Sequence, residues 1–165
     1  MTERTQSIDE KWRAYHGTVL VFTDEERGQL RVDLRRPDAR ALAERLAALG
    51  VATPAAIMTA ENPMGANAED APTERQEARQ AVRNDDRHET LLAELREAGL
   101  PFARVDGVAP DGEYRERCVA IPLGREEGRV LARRLGQLAF FWFDGTRVWL
   151  EPGIADHEPE VLPAA

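Results

Sequence analysis

The chain has 165 residues, of which 42% are hydrophobic and 32% are charged, with a formal net charge of −8. This length and composition predict one globular domain with a sizeable core. The excess of acidic residues argues against nucleic acid as the main partner, because phosphate backbones bind to basic surfaces. One cysteine, Cys118, and three widely spaced histidines exclude an internal disulfide framework and the usual zinc spacings.

No targeting or membrane signal is visible in the sequence. The first 16 residues lack the apolar core of a signal peptide. The longest apolar run, LAFFWF at 138–143, is too short to span a bilayer. We therefore expect a cytoplasmic protein that does not bind membranes.

Helices and strands alternate in the first third of the chain. Apolar residues at helical spacing predict a short helix over 7–15. Residues 17–23 and 29–35 read as two strands of an antiparallel hairpin, joined by an acidic turn. Asp38 is placed to cap the next helix. The following run, AAIMT at 55–59, has the continuous apolar pattern of a strand buried on both faces.

The composition changes after this strand. Residues 66–90 contain one large aliphatic side chain, Val82, so we expect part of this stretch to be a mobile loop. Thr73 and Gln76 nevertheless fit a capping box at a helix start. The leucine pattern predicts a firm helix from Asn84 onward.

The last third contains two further hairpins around a helix. Residues 102–108 and 114–121 are strand-like on either side of a PDG turn, and 126–135 has helical spacing. A final hairpin over 138–151 turns at Asp144 and the glycine that follows it.

Together these elements predict an α+β or mixed α/β fold. We expect a mixed, largely antiparallel sheet of about seven strands, with three core helices and a short N-terminal helix. Residues 1–152 form the predicted single domain. Residues 153–165 are acidic and rich in proline, which predicts a disordered tail.

The stretch TAENPMG at 59–65 is the first candidate for a functional site. A buried strand runs directly into Glu61, Asn62 and Pro63. Ligands collect beyond the ends of such strands when helices cross over a sheet. Pro63 is expected to hold Asn62 in an extended conformation. The alternative is an ordinary Asn-Pro turn with Glu61 in solvent.

The second candidate is NDDRH at 84–88. Asn84, Arg87 and His88 continue the leucine stripe of the predicted helix by one turn toward its start. A helix start here would offer free N–H groups and the positive end of the helix dipole to an anion. The alternative is a capped helix whose arginine pairs with a nearby acid.

Glu116 and Gln137 complete the candidate residues. Glu116 shares a strand face with Tyr114 and Cys118, so its carboxylate needs a partner, for which Arg87 is the candidate. Gln137 lies between a helix end and a strand. The alternatives are a glutamate that reaches water and an amide that satisfies loop backbone groups. Cys118 is interpreted as a small buried hydrophobic residue.

Four runs combine amides, an arginine and a glutamate at the ends of elements. They contain the patterns T-A-x-N-P, N-x-x-R, G-x-W-x-E and G-Q-x-A-x-x-W, with Tyr114 where a tryptophan is expected. The matching residues are Thr59, Ala60, Asn62 and Pro63; Asn84 and Arg87; Gly112, Tyr114 and Glu116; Gly136, Gln137, Ala139 and Trp142. In these motifs the chain resembles, over 15–151, a bacterial family of small proteins known as a domain of unknown function. The resemblance implies a fold and a shared site, but no activity.

We expect a polar crevice that binds a small anionic ligand such as a nucleotide or a sugar phosphate. Arg87 would hold the anion, and a buried Glu61 or Glu116 would act as a general base if the site is hydrolytic. Carboxylates with water could also hold Mg²⁺, although no spacing specifies a metal or a cofactor. The expected ligand-binding residues are Thr59, Glu61, Asn62, Asn84, Arg87, Glu116 and Gln137.

The alternative from a different class is a non-catalytic module for protein–protein interaction. Under this hypothesis the polar residues are structural, and Arg87 pairs with Glu116. The hairpin at 138–151 or the loop at 64–82 would form a homodimer or bind a partner protein. The position of Arg87 discriminates between the two hypotheses. A ligand site would leave Arg87 exposed in a concave pocket, whereas a structural network would bury it with its hydrogen bonds satisfied.

Overall fold

A computed structural model describes residues 3–63 and 73–164, with side chains from residue 8 onward. Four helices and eight strands lie within these residues. In chain order they are α1 (Glu3–Tyr15), β1 (Val19–Asp24), β2 (Gly28–Asp33), α2 (Ala39–Ala48), β3 (Ala55–Thr59), α3 (Glu74–Glu97), β4 (Ala103–Val108), β5 (Arg115–Ile121), α4 (Arg125–Arg134), β6 (Ala139–Phe143), β7 (Val148–Pro152) and β8 (Glu160–Leu162).

All the described strands belong to one sheet, in the order β2-β1-β4-β5-β3-β6-β7-β8. Every neighbouring pair is antiparallel. The predicted α+β class is therefore confirmed, and the three predicted hairpins are β1–β2, β4–β5 and β6–β7. The described sheet has one strand more than the seven predicted, and it is wholly antiparallel, whereas the sequence suggested a mixed, largely antiparallel sheet.

Helices cover both faces of the sheet. The first face, marked by Ala55 and Ile57 of β3, packs against α1 and α2. The second face, marked by Ala56 and Met58, packs against α3 and α4. The continuous apolar pattern of β3 follows from this burial on both sides. Among the described helices, none is long and apolar enough to cross a bilayer.

The position of β3 brings distant parts of the chain to one edge of the sheet. It lies between β5 and β6, with Thr59 opposite Cys118 and Ile57 opposite Phe141. Because both pairings are antiparallel, the carboxyl end of β3 meets the amino ends of β5 and β6. The residues that follow Thr59 therefore lie beside Glu116 and the residues that precede β6.

Helix α3 starts ten residues earlier than the firm helix predicted from Asn84. The predicted capping box of Thr73 and Gln76 is present and starts the helix at Glu74. Residues 84–88 thus lie in the middle of α3, where backbone N–H groups are already used within the helix. The expectation of an anion site at a helix start there is wrong. The part of the predicted mobile loop before Thr73 lies outside the described residues.

The C-terminal segment differs from the predicted disordered tail. Residues 160–162 form β8, which pairs with β7, and Leu162 is 4% exposed. Trp12 of α1 donates a 2.8 Å hydrogen bond to Glu160 and stacks on His157 at 3.9 Å. Composition argued for disorder, but a short apolar pair next to an open strand edge is sufficient for pairing.

We expect Leu162→Ala to lower the free energy of unfolding by about 2 kcal/mol, because it removes a buried side chain from the edge of the core. Val161→Ala is the matched control, since Val161 is 39% exposed on the same strand and should cost less than about 0.5 kcal/mol. Urea denaturation of both variants measures the difference. Equal small effects would contradict the packed position of β8.

Candidate functional site

A pocket lies between α1 and the first face of the sheet. Its volume is about 330 Å³, at the lower end of the range of about 300–1,000 Å³ for small-molecule sites. Ile57 and Phe141 line the apolar floor, and Ala14 and Tyr15 of α1 cover it. Tyr15 packs edge-on against Phe141 with ring centroids 6.0 Å apart. Gly107 contributes only backbone, which leaves room in the cavity.

Polar side chains gather where the pocket meets the carboxyl end of β3. Four of the predicted site residues line the pocket: Thr59, Asn62, Glu116 and Gln137. Antiparallel pairing explains their convergence, because the carboxyl end of β3 lies beside the amino ends of β5 and β6. Tyr114, which the motif comparison had singled out, lies beside them.

Asn62 is the centre of the polar cluster and has an unusual backbone. Its φ is +50°, so the predicted extended conformation before Pro63 is wrong. A non-glycine residue held in a sparsely populated region costs about 1–3 kcal/mol and persists only when its surroundings fix it. Such residues concentrate at functional sites.

Hydrogen bonds fix Asn62 on all sides. Its backbone N–H donates to Asn84 Oδ1 at 3.0 Å, and its Oδ1 accepts from Asn84 Nδ2 at 2.9 Å. Its own Nδ2 donates to the Tyr114 hydroxyl at 2.8 Å and to Glu116 Oε1 at 3.0 Å. The Tyr114 hydroxyl donates to the same carboxylate oxygen. Both donors therefore converge on Oε1 of Glu116.

Arg87 sets the direction of this network from outside the pocket. Its Nη1 donates to Asn84 Oδ1 at 3.2 Å. Asn84 Oδ1 thus accepts from two donors, which leaves Asn84 Nδ2 to donate to Asn62 Oδ1 and turns Asn62 Nδ2 toward Glu116. The predicted pairing of Arg87 with Glu116 is wrong, because Arg87 donates to Asn84, and Glu116 accepts from Asn62 and Tyr114.

The remaining predicted residues shape the loop after β3. Glu61 N–H donates to Thr59 Oγ1 at 2.9 Å, and Gln137 Nε2 donates to the Glu61 carbonyl at 2.9 Å. The Glu61 carboxylate accepts from Arg117 N at 2.6 Å and Nη2 at 3.1 Å. Gln137 therefore has the backbone-satisfying role that was its alternative interpretation. Glu61 is buried and forms an ion pair with Arg117. It is not among the residues that line the pocket.

Burial controls the acid–base properties of the pocket. It raises the pKa of Glu116, and the neighbouring Glu61 raises this pKa further, against the lowering effect of hydrogen bonds from Tyr114 and Asn62. Burial also raises the pKa of Tyr15, Tyr114 and Cys118. These three groups stay protonated at neutral pH, so a cysteine thiolate nucleophile is not supported. Glu116 is the lining acid whose pKa moves toward neutrality.

Sequence reasoning missed the contribution of α1. Lys11, Tyr15 and Thr18 line the pocket from the N-terminal segment, whereas every predicted site residue lies at position 59 or later. The apolar spacing of Trp12 and Tyr15 showed that this helix packs on the body, but not on which part of it. Lys11 is also the single lysine of the chain.

No metal centre is visible in the parts of the chain that the structure describes. Among the described side chains, of residues 8–63 and 73–164, no group of three or more His, Cys, Asp or Glu is arranged to hold a metal ion. Glu61 and Asp85 instead pair with Arg117, at 3.1 Å and 2.7 Å.

We expect Asn84→Asp to lower the free energy of unfolding by about 1–3 kcal/mol, because it sets two acceptor oxygens against each other at Asn62. Asp86→Asn, at an exposed position of the same helix, is the control and should change little. Urea denaturation compares the variants. An unchanged stability in Asn84→Asp would show that the amide orientation is not fixed as described.

Glu116 should give a specific pH dependence of stability. Its pKa in the folded protein lies above the ordinary value of 4.5, so the folded state binds more protons than the unfolded state between these two values. The stability of the wild type relative to Glu116→Gln should therefore fall as pH rises through this window. Denaturation at several pH values measures the difference, with Glu113→Gln in the exposed turn as control. A difference that grows with pH would contradict the assignment.

Comparison with known proteins identifies the family. The family model DUF3293, described as a protein of unknown function, matches residues 58–140. This range contains all seven predicted site residues and excludes α1. The searches of curated proteins and of solved structures gave no match. Because the family match covers slightly more than half of the chain, the chain belongs to the DUF3293 family.

Proposed function

We propose that this protein binds a small organic molecule in the pocket beneath α1. The observation that supports the proposal is the junction of an apolar cavity with an oriented polar cluster, Asn62, Tyr114 and Glu116. Small-molecule sites combine an apolar lining with a few convergent polar groups in this way. The ligand would place its apolar part over the sheet and its polar end against the cluster.

Backbone and electrostatic features support the same location. Asn62 is held at a φ of +50° by four hydrogen bonds, and the pKa of Glu116 is raised by burial. Backbone strain and perturbed pKa values both concentrate at functional sites. A carboxyl group with a raised pKa also suits proton transfer, so a hydrolytic reaction remains a second expectation for Glu116.

The anionic ligand expected from the sequence needs a different cation from the one predicted. Arg87 is half-buried and bonds Asn84 outside the pocket. Lys11 of α1 is the cationic side chain of the pocket lining. Arg87 is therefore neither exposed in the pocket nor fully buried with its hydrogen bonds satisfied, and the interaction-module alternative stays a prediction.

A blocked pocket tests the proposal. Ala14 is exposed and lines the pocket, so Ala14→Trp should fill the cavity without disturbing the core. Ala93→Trp is the matched control, because Ala93 is exposed on α3 on the other face of the sheet. Both variants and the wild type are screened by thermal shift against nucleotides, sugar phosphates, amino acids and amines. A ligand at 100 times its Kd should raise the melting temperature by about 5–10 °C.

We expect at least one ligand class to stabilise the wild type and Ala93→Trp but not Ala14→Trp. Stabilisation that persists in Ala14→Trp would place the ligand elsewhere on the molecule. If no compound stabilises the wild type, while a homodimer or a bound protein partner is found by light scattering and pull-down, the interaction-module alternative replaces the proposal.

A further inference from the structure

We propose that the pocket recognises an amine: a ligand with a protonated amino group against Glu116 and an apolar, ring-sized body over the sheet. This inference rests on the proposed function and specifies its ligand class. The sequence alone suggested the opposite sign of charge, because it placed Arg87 in the site.

The charged side chains of the pocket lining favour a cationic ligand. Among the described residues that line the pocket, two carry a formal charge, Glu116 on β5 and Lys11 on α1. The described residues show no ion pair between them, and the groups that shift the pKa of Glu116 include no cation. Glu116 is half-buried, so its carboxylate is partly desolvated without an ion-pair partner, and a cation that enters the cavity offsets that cost.

The hydrogen bonds to Glu116 involve one of its two carboxylate oxygens. Asn62 and Tyr114 both donate to Oε1. Among the described residues no hydrogen bond reaches Oε2, so this oxygen is free to accept from a ligand. An ammonium group has three donors and no acceptor, and it matches an open carboxylate oxygen beside a tyrosine hydroxyl.

The orientation of the Asn62 amide also favours a cation over an anion. Asn84 and Arg87 fix its Nδ2 toward Glu116, so the cluster presents acceptor capacity to the cavity through the carboxylate. A ligand anion would meet a carboxylate at the half-buried end of the cavity, where like charges repel. An anion would therefore need Glu116 to be protonated or would have to bind at Lys11 instead.

The apolar walls define the rest of the ligand. Ile57, Val108, Leu138 and Phe141 line the cavity, and its volume of about 330 Å³ is close to the lower limit for ligand sites. This space suits an aromatic or branched aliphatic body and excludes a dinucleotide.

Three probes with a common indole body separate the alternatives: tryptamine, tryptophol and indole-3-acetate. Titration calorimetry at neutral pH compares their Kd values for the wild type, Glu116→Gln and Lys11→Gln. Glu116→Gln keeps an oxygen acceptor for Asn62 and Tyr114, so it should retain the fold, which circular dichroism verifies.

We expect tryptamine to bind most tightly of the three. Glu116→Gln should weaken its binding by about 10- to 100-fold, the loss typical of a charge-assisted hydrogen bond. Lys11→Gln should leave tryptamine binding within about threefold or tighten it, because it removes a cation from the lining. Ala14→Trp should abolish the binding of all three probes.

Opposite charge dependence would overturn the inference. If indole-3-acetate binds most tightly and Lys11→Gln weakens it, the site selects anions through Lys11, and the proposed function stands without the amine. If tryptamine and tryptophol bind with equal affinity, the site does not discriminate by charge. The amine inference then fails, and the proposed function stands. If none of the probes binds at millimolar concentration, the inference fails; the proposed function fails with it only if the broad screen also finds no ligand that Ala14→Trp blocks.

Discussion

The placement of β3 between β5 and β6 is the constraint on which the rest of the structure depends. Every side chain of β3 is buried, since helices pack on both faces of the sheet at this strand. Its antiparallel neighbours return their amino ends to the point where β3 stops. An edge strand in the same position would have left the loop after Thr59 in solvent. A central strand instead delivers Asn62 to a partly enclosed edge, next to Glu116.

Around that edge, the direction of hydrogen bonds matters as much as their number. An asparagine side chain has a donor and an acceptor of nearly equal size, and only its neighbours decide which one faces the cavity. The backbone N–H of Asn62 and Arg87 Nη1 both donate to Asn84 Oδ1, and together they orient the Asn84 amide and, through it, the Asn62 amide. A charged residue can therefore contribute to the orientation of a pocket side chain without lining the pocket. Glu116, which the sequence suggested as the partner of Arg87, instead accepts hydrogen bonds from two neutral donors, Asn62 and Tyr114.

Helix α1 completes the cavity, and the C-terminal segment holds this helix in place. Glu160 accepts from Trp12 and lies 2.9 Å from His16, while β8 continues the sheet beyond β7. Trp12 and His16 on α1 are thus tied to the segment that contains β8. The pocket covering comes from α1, outside the range that matches the DUF3293 model. The polar residues Asn62, Tyr114 and Glu116 lie within that range. The family match therefore includes the polar end of the pocket but not the helix that covers it.

Local patterns by themselves determined the three hairpins, the caps at Asp38 and Thr73 and the strand 55–59, because turn residues, caps and apolar spacing act within a few residues. The tertiary structure alone decided the strand order, the pairing of β8 and the covering of the pocket by α1, since these depend on contacts between distant segments. The same division applies to the site. Motif positions identified Asn62, Asn84 and Glu116, but their hydrogen-bond partners, the left-handed backbone of Asn62 and the outer position of Arg87 follow from packing that no local pattern encodes.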